Sequence, residues 1–350
     1  MADQKSTDLP STPQTVAELE ENLSTPSAQA VEAMGRLSGD LILLGVGGKM
    51  GPTLARMAKR ALQAAGIDRR VVGVSRFSEA GLRERLEELG VETIAGDLLD
   101  ADFVESLPQV ATVVYMAGFK FGASTDPSMT WAMNCYLPSL VCRKYRNSRI
   151  VAFSTGNVYG LVANHRGGSV ETDIPNPVGE YAMAALGRER IFQYFSRSLP
   201  LPLVLLRLNY ATELRYGVLV DLAQKVWTEQ PIDLAMGHVN VVWQADANAM
   251  ALSALEHTAT PPLIVNIAGK EILSIRQTAQ ELGRLLDKPV QLTGSEAPDA
   301  LLSDGKKGHR VLGKPQTGSA QMLRWTADWI RRGGETLGKP TEFQNREGKF

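Results

Sequence analysis

The feature that most narrows the fold of this chain is a short apolar run that ends in a glycine-rich loop and passes at once into a helical pattern. Leu41-Ile42-Leu43-Leu44 leads into Gly45-Val46-Gly47-Gly48-Lys49-Met50-Gly51, and helical periodicity follows over 51–65. Glycines at such a junction permit a tight turn and close backbone approach. The helix behind them presents N–H groups and a positive dipole end. The combination suits a pyrophosphate, with Lys49 and Met50 at the helix entrance. The spacing Gly-x-Gly-x-x-Gly fails because its last position is Met50, whereas Gly-x-x-Gly-x-x-Gly is met by Gly45, Gly48 and Gly51. A plain strand-to-helix turn is the alternative. The position of the loop in the first strand–helix unit favours the phosphate reading.

The following segments repeat the alternation. Apolar strands are predicted at 71–75, 91–97, 112–118, 149–155 and 202–208, with helices over 78–89, 127–146 and 179–198. Strands alternating with helices imply right-handed crossovers and a parallel sheet, and strands apolar on both faces imply helices on both sides. The fold class is therefore α/β, a doubly wound parallel sheet of Rossmann type. Beyond 209 the pattern loosens into helices at 216–229, 245–257 and 274–287 and strands near 239–243 and 263–268. This reads as a smaller C-terminal lobe interleaved with the last strands. Residues 39–208 plus 239–268 form the dinucleotide-binding part, and 209–238 plus 269–350 form a substrate lobe and tail. The tail 331–350 is Gly-rich and polar, as expected of surface. Residues 1–38 are rich in Ser, Thr, Pro and Gln. They read as an arm with a disordered first dozen residues and short helices at 17–23 and 28–37. The arm packs on the main body, or serves as a dimer contact or lid.

Composition removes other classes of function. Hydrophobic residues make up 44% of the 350, and Lys+Arg 37 against Asp+Glu 38 leave a net charge of −1, so no global basic field gathers nucleic acid. Cys135 and Cys142 form no disulfide framework, and the four histidines have no metal spacing to one another, so no metal is expected. No apolar run approaches the roughly 20 residues of a membrane span, and no basic-then-apolar leader precedes the arm. A cytoplasmic protein with a small-molecule ligand is the expectation.

The strand ends carry further signals. The second strand ends in Ser75-Arg76, where a carboxylate would bind the ribose 2′-hydroxyl of NAD. A hydroxyl and a guanidinium instead suit a 2′-phosphate, which favours NADP over NAD; Arg76 as an ordinary solvated loop residue is the alternative. Asp97 ends the third strand, where it can accept from an adenine amino group. Ala117 and Gly118 end the fourth, where small residues leave room for the cofactor. Each also has a plain reading as a turn residue.

In this order and spacing the chain resembles the extended short-chain dehydrogenases/reductases, the NAD-dependent epimerase/dehydratase family, over roughly 40–330. The residues that carry the resemblance are the glycine loop, Gly96-Asp97, Met116-Ala117-Gly118, Phe153–Gly160, Glu171–Pro177 with Tyr181, and Arg207-Leu208-Asn209. The stretch from Val265 to Gln291 extends it. The resemblance implies an oxidoreductase or epimerase/dehydratase that moves hydride to and from a small polar, sugar-derived carbonyl or alcohol. It implies that Thr155 orients the substrate oxygen, that Tyr181 is the acid/base, and that Asn209 borders nicotinamide and substrate. It also implies a homodimer through the helices at 127–146 and 179–198.

At one position the chain departs from this pattern. The family places a Lys four residues after the Tyr, on the same helical face, to hold the nicotinamide ribose and favour the phenolate. Here that position is Ala185. Either another cation serves, or the chemistry needs less base catalysis, or the chain is a catalytically impaired cofactor-binding protein with a sensing or regulatory role. By sequence, Lys120, just past the fourth strand, is the best-placed substitute, with a solvated loop lysine as its plain reading. Arg188 lies further along the helix and is expected to point elsewhere. Asn134 is read as a helix-packing or a catalytic residue. Trp131, Trp227, Trp243, Trp325 and Trp329 are read as packing residues, the last two on one helical face against the main domain.

Overall fold

A computed structural model describes residues 11–120 and 122–349. The expectation for the first dozen residues falls almost wholly outside them. Seven strands form the central sheet: β1 Leu41–Leu44, β2 Val71–Ser75, β3 Glu92–Ala95, β4 Thr112–Tyr115, β5 Arg149–Thr155, β6 Leu203–Leu208 and β7 Leu263–Ile267. Their order is β3-β2-β1-β4-β5-β6-β7, and every pairing is parallel. The chain winds outwards in one direction from β1 and in the other from β4, so the crevice at their C-terminal ends is the place for a ligand. Helices at Ala101–Ser106, Lys306–Val311 and Ser319–Arg331 add to the predicted elements. The helix expected over 127–146 is interrupted by a π turn at Ala132–Tyr136.

Alternation within the strands explains why they read as continuous apolar runs. Leu41 and Leu43 of β1, with Val151 and Phe153 of β5, join one core with the helices Ala28–Arg36, Gly51–Ala64 and Gln244–Ser253. Ile42 and Leu44, with Ile150 and Ala152, join another with the helices Leu137–Lys144 and Gly179–Ser198. Both faces are covered, so a polar strand residue is tolerated only where it finds a buried partner.

A third core lies beyond the C-terminal edge of the sheet, among the helices Val218–Trp227, Ile275–Leu286 and Ser319–Arg331. Trp325 and Trp329 are both buried in it, and Trp325 meets Trp243 edge-on with ring centroids 5.3 Å apart. They therefore serve the lobe's own core more than its seam with the sheet. The N-terminal arm is structural: Leu19 and Leu23 enter this lobe core, while Ala30 and Met34 enter the sheet core. Two expectations are corrected. Trp131 and Trp227 are 41% and 37% exposed, Trp131 because its indole N–H donates to Glu180 at the surface (2.7 Å). The tail is not mere surface, since Thr341 and Phe343 are buried. Among the described residues no helix is long and apolar enough to cross a membrane, and no group of side chains is fit to hold a metal.

One buried ion pair ties the helix Gly179–Ser198 to the sheet. Arg207 of β6 donates twice to the Glu189 carboxylate (2.9 and 2.7 Å), and Ser154 of β5 donates to the same group (2.6 Å). The Arg207 guanidinium lies 4.7 Å over the Tyr159 ring, whose hydroxyl donates to Asn266 (2.7 Å). Removing one member of such a pair leaves the other charge buried and uncompensated. Glu189→Gln is therefore expected to cost about 3–5 kcal/mol of stability, measured by urea denaturation. A loss within experimental error would show the pair to be energetically idle.

Candidate functional site

The glycine loop is shaped by contacts that leave no room for side chains. Gly45 has φ +92°, and a Cβ there would lie 2.7 Å from the Ala117 backbone nitrogen at the exit of β4. A Cβ at Gly51 would lie 2.1 Å from the Val46 carbonyl, and one at Gly47 would lie 2.4 Å from Ser75 Oγ. Gly48 differs: a Cβ there would meet only the Gly45 carbonyl at 3.5 Å. The face of Gly48 is thus open towards the cavity it lines. Pro52 at the start of the helix Gly51–Ala64 fixes the backbone angle there without wasting a donor. Three positions build the turn and the fourth leaves its backbone approachable, which fits a phosphate cradle.

A cavity of about 470 Å³ opens beside this loop, between the β4, β5 and β6 exits and the lobe. Thr155, Tyr181, Lys120 and Asn209 all line it, together with Gly48, Lys49, Met50 and Gly118. Sequence positions spread over more than 150 residues therefore converge because each follows a strand or begins a helix at one edge of the sheet. Thr155 ends β5 and is held by Asn157, whose backbone and side-chain N–H groups donate to its Oγ1 (3.2 and 3.1 Å). Asn209 donates to Asn240, whose amide donates in turn to the Ser303 carbonyl (2.7 Å). Tyr181 lies in the first turn of the helix Gly179–Ser198.

Gly45, Gly51, Ser75, Arg76, Asp97 and Ala117 lie outside the cavity lining. Gly45, Gly51 and Ala117 are behind it, as the framework of the turn. Ser75, Arg76 and Asp97 lie along the sheet edge at the ends of β2 and β3, the direction in which an extended dinucleotide would run. Arg76 and Asp97 are exposed, and Asp97 Oδ1 accepts from the Leu99 N–H (3.0 Å).

Ala185 is fully buried against Val158 and Tyr159, so no cation reaches the cavity from its position. Other cations do. Lys120 Nζ lies 5.9 Å from the centre of the Tyr181 ring. Lys49 extends from the glycine loop across the cavity, with Nζ 3.1 Å from the centre of the Tyr216 ring. Lys339, from the tail, lines the same space with Thr341. Arg188 corrects its expectation: it lines the cavity floor, donating to the Phe153 carbonyl (2.8 Å) and to Asn134 Oδ1. Asn134 is fully buried, its amide donates to the Phe119 carbonyl (3.2 Å), and its role is to position Arg188. Lys49 was expected at the cofactor's phosphates; Arg188 and Lys339 are the site cations that sequence reasoning did not assign. Arg188 was findable, since seven residues is two helical turns from Tyr181.

Burial, and the neighbouring charges of Lys120 and Lys339, push the Lys49 ammonium down to about 7. Burial lowers Lys120 to about 8, against the opposing pull of Glu342 and Asp221. Because the folded Lys49 binds its proton less tightly than the unfolded one, its penalty is fully present below about pH 7 and fades as pH rises towards 10.5. Lys49→Met is therefore expected to raise the melting temperature most at pH 6, with the gain shrinking steadily by pH 10. A gain independent of pH would place the Lys49 ammonium in water.

The sequence model of the NAD dependent epimerase/dehydratase family matches residues 41–211. A search of curated protein sequences finds no match. Among solved structures, the chain is similar to UDP-glucuronic acid 4-epimerase from Bacillus cereus in complex with UDP-glucuronic acid and NAD, at 19% identity and a TM-score of 0.70, covering 84% of this chain and 99% of that one. It is similar to dTDP-glucose 4,6-dehydratase from Streptomyces venezuelae with NAD bound, at 20% identity and a TM-score of 0.70, covering 84% and 97%. An epimerase from Methanothermobacter thermautotrophicus aligns at 18% identity and a TM-score of 0.71, over 87% and 96%. The shared fold and the matched sequence agree: over residues 41–211 this chain matches the NAD dependent epimerase/dehydratase family.

Proposed function

We propose that this chain is a nicotinamide-dependent oxidoreductase of the epimerase/dehydratase class, acting on a small polar, sugar-derived carbonyl or alcohol. The observation that supports it best is the meeting of Thr155, Tyr181 and the open face of Gly48 in one cavity. Of the solved structures it resembles, one holds UDP-glucuronic acid and NAD and another holds NAD. A bound nicotinamide would supply the hydride acceptor and donor. The chain's own residues do the rest. The Thr155 hydroxyl, set by Asn157, orients the substrate oxygen. The Tyr181 hydroxyl takes or returns the proton. Lys120 supplies the positive charge that Ala185 does not. Residues 39–208 plus 239–268 hold the cofactor and 209–238 plus 269–350 the substrate.

We read the cofactor as NADP(H), because β2 ends in Ser75-Arg76 with no carboxylate, and Arg76 is exposed at that edge. We also read the protein as a cytoplasmic homodimer. Trp131 and Tyr136 on one side, and Met183 and Tyr194 on the helix Gly179–Ser198, are large exposed side chains on the expected pairing surface. Both cysteines are free.

The test is cofactor titration by fluorescence, followed by turnover on a panel of sugar nucleotides. NADPH is expected to bind more tightly than NADH, and Arg76→Ala to weaken NADPH about tenfold or more while sparing NADH. Equal loss for both would remove Arg76 from the 2′-position. Tyr181→Phe is expected to lower turnover about 10²–10⁴-fold with cofactor affinity retained. Lys120→Met should fall between that variant and wild type. Tight NADPH binding with no turnover on any substrate would favour the sensing or regulatory reading, for which the buried Ala185 is the motive.

A further inference from the structure

The floor of the cavity carries a buried positive charge that no negative charge faces. Arg188, on the helix Gly179–Ser198, lines the cavity and is 5% exposed. A guanidinium does not lose its proton in a folded protein. Its partners are neutral: the Phe153 carbonyl at 2.8 Å, Asn134 Oδ1, and the Tyr115 ring, whose centre is 5.9 Å from the guanidinium carbon. Its Nε–H meets no acceptor. Among the described residues no carboxylate lies within ion-pair distance of it. Glu189, its neighbour in sequence, is taken by Arg207 and Ser154 (2.7 and 2.6 Å). Lys120 differs, because Glu342 and Asp221 counter its charge. Asp221 is itself fixed by the Thr341 N–H and hydroxyl (2.9 and 2.5 Å).

Three elements hold the guanidinium in place without neutralising it. A Cβ at Gly118 would lie 2.5 Å from Arg188 Nη2, so a glycine at the exit of β4 leaves it room. Asn134, fully buried, turns its Oδ1 to Arg188 from the π turn Ala132–Tyr136, a local distortion of the kind that gathers at functional sites. The Phe153 carbonyl at the end of β5 accepts from the other side. A buried charge without a counter-charge costs stability, so its retention at the floor of a ligand cavity points to a use there.

On the functional reading above, on which this inference rests, Thr155 and Tyr181 hold the oxygen of the carbon that exchanges hydride. The nicotinamide therefore belongs in the same cavity as Arg188. An oxidised ring carries one positive charge more than a reduced ring. A fixed cation in a space sheltered from water repels that charge and does not repel the neutral ring. We infer that Arg188 makes the cavity bind reduced nicotinamide more tightly than oxidised nicotinamide, and that the substrate which enters is an alcohol. Tighter binding of the reduced form raises the reduction potential of the bound couple, by about 30 mV for each factor of ten. The bound couple is then poised to accept hydride. The alcohol carbon gives up its C–H as hydride to the oxidised ring, and the O–H proton passes to the Tyr181 phenolate, which leaves a carbonyl, a neutral ring and a protonated tyrosine.

The test is binding of matched pairs to the full chain without substrate, read by calorimetry. NADPH and NADP⁺ differ only at the nicotinamide ring, as do NADH and NAD⁺, so contacts to the phosphates cancel within each pair. In each pair that binds, the reduced form is expected to bind about tenfold more tightly at pH 7. The preference is expected to persist at pH 9, where Lys49 and Lys120, lowered to about 7 and about 8, have largely lost their protons and Arg188 has not. Tyr115 and Cys135, the titratable groups that feel the Arg188 charge, are pushed up by burial. Arg188→Lys should keep most of the preference, and Arg188→Met should reduce it to about threefold or less. Equal affinity for both forms in the wild-type protein, a preference that fades by pH 9, or one that survives in folded Arg188→Met would overturn the inference. The wild-type comparison at the two pH values decides the matter if Arg188→Met does not fold. Failure to bind any of the four nucleotides would instead overturn the functional reading beneath it.

Discussion

The geometry of the site depends on the close approach of two backbones at the centre of the sheet. β1 and β4 are neighbours, and the chain leaves them on opposite sides, so the turn after β1 must pass within van der Waals reach of the β4 exit. Gly45 makes that passage possible: its φ of +92° and the Ala117 backbone at 2.7 Å exclude any side chain. Gly51 then lets the helix start directly under the Val46 carbonyl. Because these contacts are backbone on backbone, they cannot relax by a rotamer change. They set where the helix N-terminus points, and with it the phosphate cradle.

The second constraint is electrostatic. In the family pattern one lysine on the Tyr helix serves both the ribose and the phenol. Here that position is packed with Ala185 against Val158 and Tyr159, and positive charge enters from the loop, from β4 and from the tail. A cation delivered by a strand exit is held by the sheet, and one delivered by the tail depends on Asp221, Thr341 and Phe343. The cavity thus couples the lobe to the chemistry more directly than a single helix-borne lysine would.

Much of this was legible in sequence, for identifiable reasons. The strands β2 and β5 and the helix Gly179–Ser198 have the predicted bounds, because apolar runs between Gly, Pro and charged residues leave few alternatives. Thr155, Tyr181 and Asn209 were singled out by the family resemblance and Lys120 by its place past the fourth strand, and one cavity holds all four. The tail was misread because Gly-rich polar composition normally marks surface. Its burial comes from Phe343, Thr341 and Arg346, none of which forms a periodic pattern. The arm's two helices and its packing on the main body were legible, because Leu19 and Leu23 are four apart and Ala30, Ala33 and Met34 share a face. Trp131 was assigned to packing by residue type, whereas a partner for its N–H at Glu180 lets it stay at the surface.

Whether a displaced cation can do the work of the missing lysine is a question of magnitude. With Nζ 5.9 Å from the Tyr181 ring centre, an ammonium at Lys120 attracts negative charge developing on that ring. At an effective dielectric of about 20 this amounts to roughly 3 kcal/mol, or about two orders of magnitude in rate where the charge is fully developed. Lowered to about 8, Lys120 is still mostly protonated at neutral pH. Lys49, lowered to about 7, is divided between its two forms there, so its contribution depends on what else is bound. An anion in the cavity would raise both lysines and hold their charge in place, but would also screen part of it from Tyr181. The arrangement therefore ties the charge available for proton transfer to occupancy of the cavity, a dependence that a lysine fixed on the Tyr helix would not have.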